Sequence, residues 1–271
     1  MATQLEGRRG AGPAIIEDRR GDVLWLTFNR PQARNAMTFA MYDRLGEIAR
    51  EANADESLRC LVLTGAGDKA FVAGTDIGQF REFRTEQDAV DYEERMEREI
   101  GSLAQVRIPT IAAVRGACTG GGFAIAAACD LRVGSPSARF GIPIARTLGN
   151  CLSMASLNLL IDLMGPARAK EMLFTARLIE AGEAREIGLV NELVDSEESL
   201  IPRVEALAEQ IAANAPLTIR AVKEGVRRIL ASRHLDPREG RDLIVACYLS
   251  EDFREGMSAF LEKRKPNWQG R

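Results

Sequence analysis

At 271 residues the chain is long enough for one large domain, or a core domain with an appendage, and it can bury a sizeable core. Its 36 basic and 39 acidic residues leave a formal net charge of -3, which removes the electrostatic case for nucleic acid or an anionic membrane as the main partner. No stretch approaches the ~18 apolar residues of a membrane span.

In chain order, residues 1–20 carry basic residues but no apolar core, and read as a loose, polar leader. "DVLWLTF" (22–28) alternates like a strand until Pro31 breaks the pattern. "TFAMYDRLGEIAREAN" then has apolar residues at helical spacing, with Thr38 placed as the N-cap. "RCLVLTG" (59–65) and "PTIAAVRG" (109–116) are continuous apolar runs suited to strands buried on both faces, with a polar helix at about 86–105 between them. Strand, helix, strand, helix, strand in this order argues for right-handed crossovers and a parallel sheet.

Past about residue 195 the pattern becomes wholly helical. "IPRVEALAEQIAAN" puts Ile201, Val204, Leu207, Ala208 and Ile211 on one face, and "PLTIRAVKEGVRRILA" follows with Pro216 at its first helical position. This divides the chain into an α/β core at 21–197 and a helical segment at 198–271, whose apolar stripes call for packing on the core or on another subunit.

The five cysteines, Cys60, Cys118, Cys129, Cys151 and Cys247, are odd in number and widely spread, with no spacing suited to zinc. They read as reduced, mostly buried thiols of a cytoplasmic protein. The single histidine, His234, lies in the helical segment, where a surface or capping role outweighs a catalytic one. Gly65, Gly67 and Ala70 fit a G-x-G-x-x-A fingerprint, but "AFVAGTD" continues as a β-like run where a dinucleotide site needs a helix, so the stretch reads as a turn.

Two other glycine turns follow consecutive strands: "FVAGTD" (71–76) and "TGGGFA" (119–124). Neighbouring parallel strands end on one edge, so both turns can face one crevice and aim backbone N–H groups at a single oxygen. A helix starting at the second turn would add the positive end of its dipole. Phosphate cradling and close helix–strand packing are the other uses of such a glycine run.

These residues resemble the crotonase, or enoyl-CoA hydratase/isomerase, superfamily over nearly the whole chain. The likeness rests on "LTFNRPQARNAM", "KAFVAGTDI", "IPTIAAVRGACTGGGFAIAAACDLRVGSPSARFGIP", "LFTARLIEAGEAREIGLVNELV" and "EGMSAFLEKRKPNW", in that order. It implies a spiral of ββα units with a C-terminal helical trimerisation segment, assembled as a homotrimer or a dimer of trimers. It also implies an acyl-CoA substrate with no separate cofactor and no metal. By position, Thr75 and Gly121 supply the two N–H groups of an oxyanion hole for the thioester carbonyl. Ala73, Asp76, Ile77, Gly78, Gly120, Ala124, Ile144 and Cys151 border the acyl-CoA, Arg34 approaches its phosphates, and Lys263 reaches toward the adenine in a neighbouring subunit.

The sequence departs from that family at two chemical positions. Hydratases of the family carry glutamates where this chain has Ala124 and Ile144, and neither side chain can move a proton. Isomerisation, decarboxylation or thioester hydrolysis suits such a site better than hydration. A scaffold that binds acyl-CoA without catalysis, or serves in assembly, is the reading from another class. Glu93 and Glu97, at i,i+4 on the helix before the third strand, are candidate acid/base groups. A solvated face is the plainer reading of their charge-rich surroundings, "DYEERMERE". Arg146, Asn150 and Cys151, in "ARTLGNCLS", are further polar or nucleophilic candidates, against a packing role for each.

Overall fold

A computed structural model describes residues 12–233 and 236–271. His234 and the first 11 residues of the expected leader lie outside the described residues. The rest of that leader is not loose. Ile15–Arg20 forms β1, antiparallel to β2 (Val23–Phe28), with only Ile15 buried.

From β2 the chain builds a six-stranded sheet in the order β1-β2-β3-β5-β7-β10, with β3 at Cys60–Gly65, β5 at Thr110–Val114, β7 at Leu131–Gly134 and β10 at Glu192–Leu193. The β2-β3, β3-β5, β5-β7 and β7-β10 pairs are parallel. The continuous apolar runs are explained by burial on both faces. Cys60, Val62, Ile111 and Ala113 face α7 (Leu200–Ala212), while Leu61, Leu63, Ala112 and Val114 face the main core. Each fully buried Leu or Val contributes about 1.5–3 kcal/mol relative to exposure.

A second sheet of four short strands has the order β4-β6-β8-β9, with β4 at Ala70–Val72, β6 at Ala117–Thr119, β8 at Arg139–Gly141 and β9 at Ile179–Glu180. Three successive units, starting at β3, β5 and β7, each place one strand in the large sheet and the next in the small one, then turn into a helix. The helices after β4, β6 and β8 are α2 (Glu86–Ala104), α3 (Gly121–Ala128) and α4 (Ile144–Thr147), the last followed by α5 (Met154–Thr175). This is the ββα spiral that the resemblance implied. The Gly65–Ala70 stretch leads into strand β4 and not into a helix, as a turn requires.

Helix α1 (Phe39–Ala54) begins where expected, and Thr38 Oγ1 accepts from the Met41 N–H at 3.3 Å. After α6 (Ala181–Glu186) and α7 come α8 (Pro216–Ala231), α9 (Arg241–Tyr248) and α10 (Glu251–Leu261), with no strand among the described residues there. Helix α7 covers the outer face of the large sheet, and α9 packs against α2. Among the described residues no helix is long and apolar enough to cross a membrane.

Candidate functional site

Both glycine turns leave the small sheet, one from β4 and one from β6, and these strands pair in parallel. Gly74 has φ 100° and Gly120 has φ 54°, conformations that disfavour a side chain. The turns touch: a β-carbon added at Gly120 would lie 3.5 Å from the Gly74 Cα, and one at Gly74 would lie 3.6 Å from the Thr119 carbonyl oxygen.

The three glycines of the second turn serve different ends. Gly120 makes the turn, and its carbonyl accepts from Phe123 and Ala124 at 3.0 and 3.1 Å. A β-carbon at Gly121 would run into the Tyr42 hydroxyl, and one at Gly122 into the Val72 carbonyl. Close packing is therefore one true role of the run. Gly122→Ala is expected to cost about 1–3 kcal/mol by overpacking, read as a lower urea midpoint with an unchanged slope.

Thr75 forms a parallel bridge with Met37. The Met37 N–H donates to the Gly74 carbonyl at 2.9 Å, and the Asp76 N–H donates to the Met37 carbonyl at 2.8 Å. In that pattern the central residue's own N–H points away from the partner strand. Gly121 is the first residue of α3, so its N–H has no intrahelical acceptor and lies at the positive end of the helix. Two adjacent turns thus each hold an N–H outside the regular backbone pairing, an arrangement that can stabilise charge developing on one oxygen.

Around Thr75 the sequence reading missed the main feature. The chain has three tyrosines, and all of them gather here. Thr75 Oγ1 is 2.9 Å from the Tyr42 hydroxyl and 3.0 Å from the Tyr92 hydroxyl. The Tyr92 and Tyr248 rings lie 6.1 Å apart, within a cluster that includes Phe80, Phe83 and Phe253. Burial pushes all three phenols above their usual range, so they are neutral donors at physiological pH.

The Tyr248 hydroxyl donates to Glu93 Oε1 at 2.6 Å, and Asn150 Nδ2 donates to the Tyr248 oxygen at 3.0 Å. Glu93 is only 7% exposed, so a solvated face is wrong for this residue. Burial pushes its carboxyl up to about 7 against the hydrogen bond from Tyr248, which pulls it down. Glu97 is half-buried and also raised, by burial and then by Glu94 and Asp236.

The remaining candidates are less central. Asp76 pairs with Arg30 at 3.0 Å and caps the short 3-10 helix Ile77–Glu82 through the Gly78 N–H at 3.2 Å. Arg34 is exposed, and its carbonyl accepts from the Ala73 N–H at 3.1 Å, which sets it beside the first turn. Ala124 is buried one turn into α3, and half-buried Ile144 opens α4. Cys151 donates to the Leu243 carbonyl at 3.5 Å, and Cys247 and then burial hold its thiol far above the usual range, against its serving as the nucleophile toward a thioester. Arg146 is exposed on α4, and Lys263 is exposed just past α10, on neither turn.

A cavity of about 470 Å³ lies elsewhere, lined by Trp25, Gly67, Asp68, Arg20 and Arg115 among others. Its arginines are paired with carboxylates, Arg20 with Asp18 and Glu205, and Arg115 with Glu197. It therefore lacks the free positive charge that phosphate binding needs, and the chemistry converges at the two turns.

The enoyl-CoA hydratase/isomerase family model matches residues 18–271. The chain is 35% identical over 258 residues to the short-chain-enoyl-CoA hydratase of Clostridium acetobutylicum, covering 93% of this chain and 95% of that one. It is 36% identical over 260 residues to the carnitinyl-CoA dehydratase of Proteus mirabilis, covering 93% and 97%. A methylmalonyl-CoA decarboxylase in complex with 2-nitronate-propionyl-CoA superposes with a TM-score of 0.86 at 29% identity, over 96% of this chain and 99% of that one. With two bare N–H groups on touching turns and this breadth of likeness, the chain belongs to the enoyl-CoA hydratase/isomerase family of acyl-CoA enzymes.

Proposed function

We propose that the chain moves a proton at the α-carbon of an acyl-CoA thioester, with the enolate oxygen held by the N–H groups of Thr75 and Gly121 and Glu93 as the acid/base. Coenzyme A arrives as part of the substrate. The observation that carries this reading is Glu93: a buried carboxyl raised to about 7, hydrogen-bonded to Tyr248 and next in sequence to Tyr92, which holds Thr75. A carboxyl poised there can take a proton as carboxylate and return it as acid. Isomerisation needs one such group, which takes the proton from one carbon and delivers it to another.

Hydration needs a second group to activate water, and Ala124 and Ile144 supply none. The carnitinyl-CoA dehydratase and methylmalonyl-CoA decarboxylase relatives mark two other outcomes of enolate chemistry; decarboxylation needs the oxyanion hole and no base. The test is solvent-deuterium exchange at the α-carbon of a saturated acyl-CoA, beside turnover of crotonyl-CoA and of a β,γ-enoyl-CoA. Exchange with β,γ to α,β isomerisation is expected. Fast hydration of crotonyl-CoA that survives Glu93→Gln would sink the proposal, and tight thioester binding with neither exchange nor turnover would favour the non-catalytic scaffold.

Tyr42 is a positioning residue in this reading, since its hydroxyl ties Thr75 to the floor beneath Gly121. Tyr42→Phe is expected to lower kcat about fivefold, the worth of one neutral hydrogen bond, while KM moves much less. An equal change in KM would assign Tyr42 to binding instead.

Self-association as a trimer or a dimer of trimers belongs to the same proposal. Helix α8 buries none of its residues, and Leu217, Val222, Val226 and Ile229 are 77%, 62%, 52% and 56% exposed. Such a stripe suits burial against another copy. Sedimentation of the purified chain as a monomer would overturn this part.

A further inference from the structure

The cysteines fall into two groups. Cys60, Cys118 and Cys129 are at most 4% exposed, and burial pushes their thiols up, so they stay protonated and inert. Cys151 and Cys247 are both partly exposed, and each thiol feels the other electrostatically.

Their juxtaposition has a second, independent sign. Cys151 donates to the Leu243 carbonyl at 3.5 Å. Leu243 lies four residues before Cys247 in α9, so the same carbonyl is the helical acceptor for the Cys247 N–H. The Cys151 sulfur therefore rests on the helical turn that ends in Cys247. The residues beside the two cysteines also meet, because Asn150 donates to Tyr248 at 3.0 Å and Tyr248 to Glu93 at 2.6 Å.

We propose that Cys151 and Cys247 are an oxidant-sensitive thiol pair that a hydroperoxide closes to a disulfide, joining the loop after α4 to α9. The Cys247 sulfur attacks the peroxide, breaking the O–O bond to give a sulfenic acid and releasing water from hydrogen peroxide or an alcohol from an organic peroxide. The Cys151 sulfur then attacks the sulfenic sulfur. The S–S bond forms, the hydroxyl leaves as water with the Cys151 proton, and the pair loses two electrons to the peroxide.

Cys247 suits the attacking role, because the neighbouring Cys151 holds its thiol below the usual range. The bridge needs an S–S length of ~2.05 Å with its two Cα atoms about 4.4–6.8 Å apart, so closure fixes the spacing of residues 151 and 247. Asn150 and Tyr248 move with them, and the hydrogen bonds that hold Glu93 are reset. That last consequence rests on the role proposed above for Glu93; the disulfide itself does not.

The test treats the full chain with hydrogen peroxide, alkylates the remaining thiols and maps linked peptides by mass spectrometry. A Cys151–Cys247 peptide is expected, reversed by dithiothreitol and missing from Cys247→Ala, with the other three thiols alkylated only after denaturation. Oxidation of both residues to sulfinic acids without a link, or persistence of both free thiols through the treatment, overturns the proposal. In the oxidised chain α-proton exchange should fall by about 100-fold, the usual effect of a ~1 Å misplacement, and return on reduction. Cys247→Ala should be insensitive to peroxide. Linkage with unchanged exchange would keep the modification site and overturn its coupling to Glu93.

Discussion

Glu93→Gln is expected to lower α-proton exchange by about 10²–10⁴-fold, the contribution of a well-placed acid/base, and to remove a pH dependence of folding. Burial raises the Glu93 carboxyl from 4.5 to about 7 in the folded chain. Below the lower value both states hold the proton and the full stability is present. As pH rises from there, the unfolded chain ionises while the folded chain still carries a neutral acid, so stability falls and levels off only above the folded value. Across that window the loss is about 3 kcal/mol at ~1.4 kcal/mol per pH unit. Glutamine cannot ionise, so the variant's urea midpoint should change far less between about pH 5 and about pH 8 than that of the parent.

Activity in the parent should run the other way. Proton abstraction needs the carboxylate, so kcat/KM for exchange rises through about pH 7 just as stability is being lost. A structural carboxyl would produce the stability slope alone. An exchange profile that is flat through this range, or retention of exchange in Glu93→Gln, would remove Glu93 from the chemistry.

The sequence carried much of the large sheet because strands with two buried faces write long apolar runs, as in "CLVLTG" and "TIAAV". It did not carry β1, because "IIEDRR" buries only its first residue and shows no alternation. The small sheet was also hidden. Strands β4 and β6 have three residues each, too few for a period, so both glycine turns looked like endings of one sheet when they spring from a second. Their meeting at one crevice was nevertheless legible, since adjacent parallel strands release their chains on one edge.

The acid/base was the least legible part. On α2, Glu93 sits in a charge-rich run beside exposed Asp91 and Glu94, and its partner Tyr248 lies 155 residues away. No local pattern announces such a pairing. Tyr42, Tyr92 and Tyr248 are likewise separated along the chain, and only the approach of α1, α2 and α9 makes one group of them. The one available hint was scarcity, since a chain with three tyrosines has few phenols to spend on packing.

Removing the Gly121 N–H gives the most direct test of the oxyanion hole, and the surrounding structure dictates how to do it. Proline deletes the donor, and the first position of a helix tolerates it. Gly120, at φ 54° and ψ -125°, has the mirror image of the conformation that precedes a pyrrolidine ring, which is open to it because it has no β-carbon. A β-carbon at 121 would strike the Tyr42 hydroxyl, so the substitution belongs in a Tyr42→Phe background. There the nearest atoms to that β-carbon are Thr75 Oγ1 and the ring carbon Cζ of residue 42, both at 3.3 Å. Gly121→Ala in the same background adds the β-carbon and keeps the N–H. Proline against alanine should therefore lower kcat by about 10²–10³-fold at similar unfolding midpoints. Equal rates for the two would mean that the donor on α3 does not face the developing charge, and that Thr75 stabilises it with some other partner.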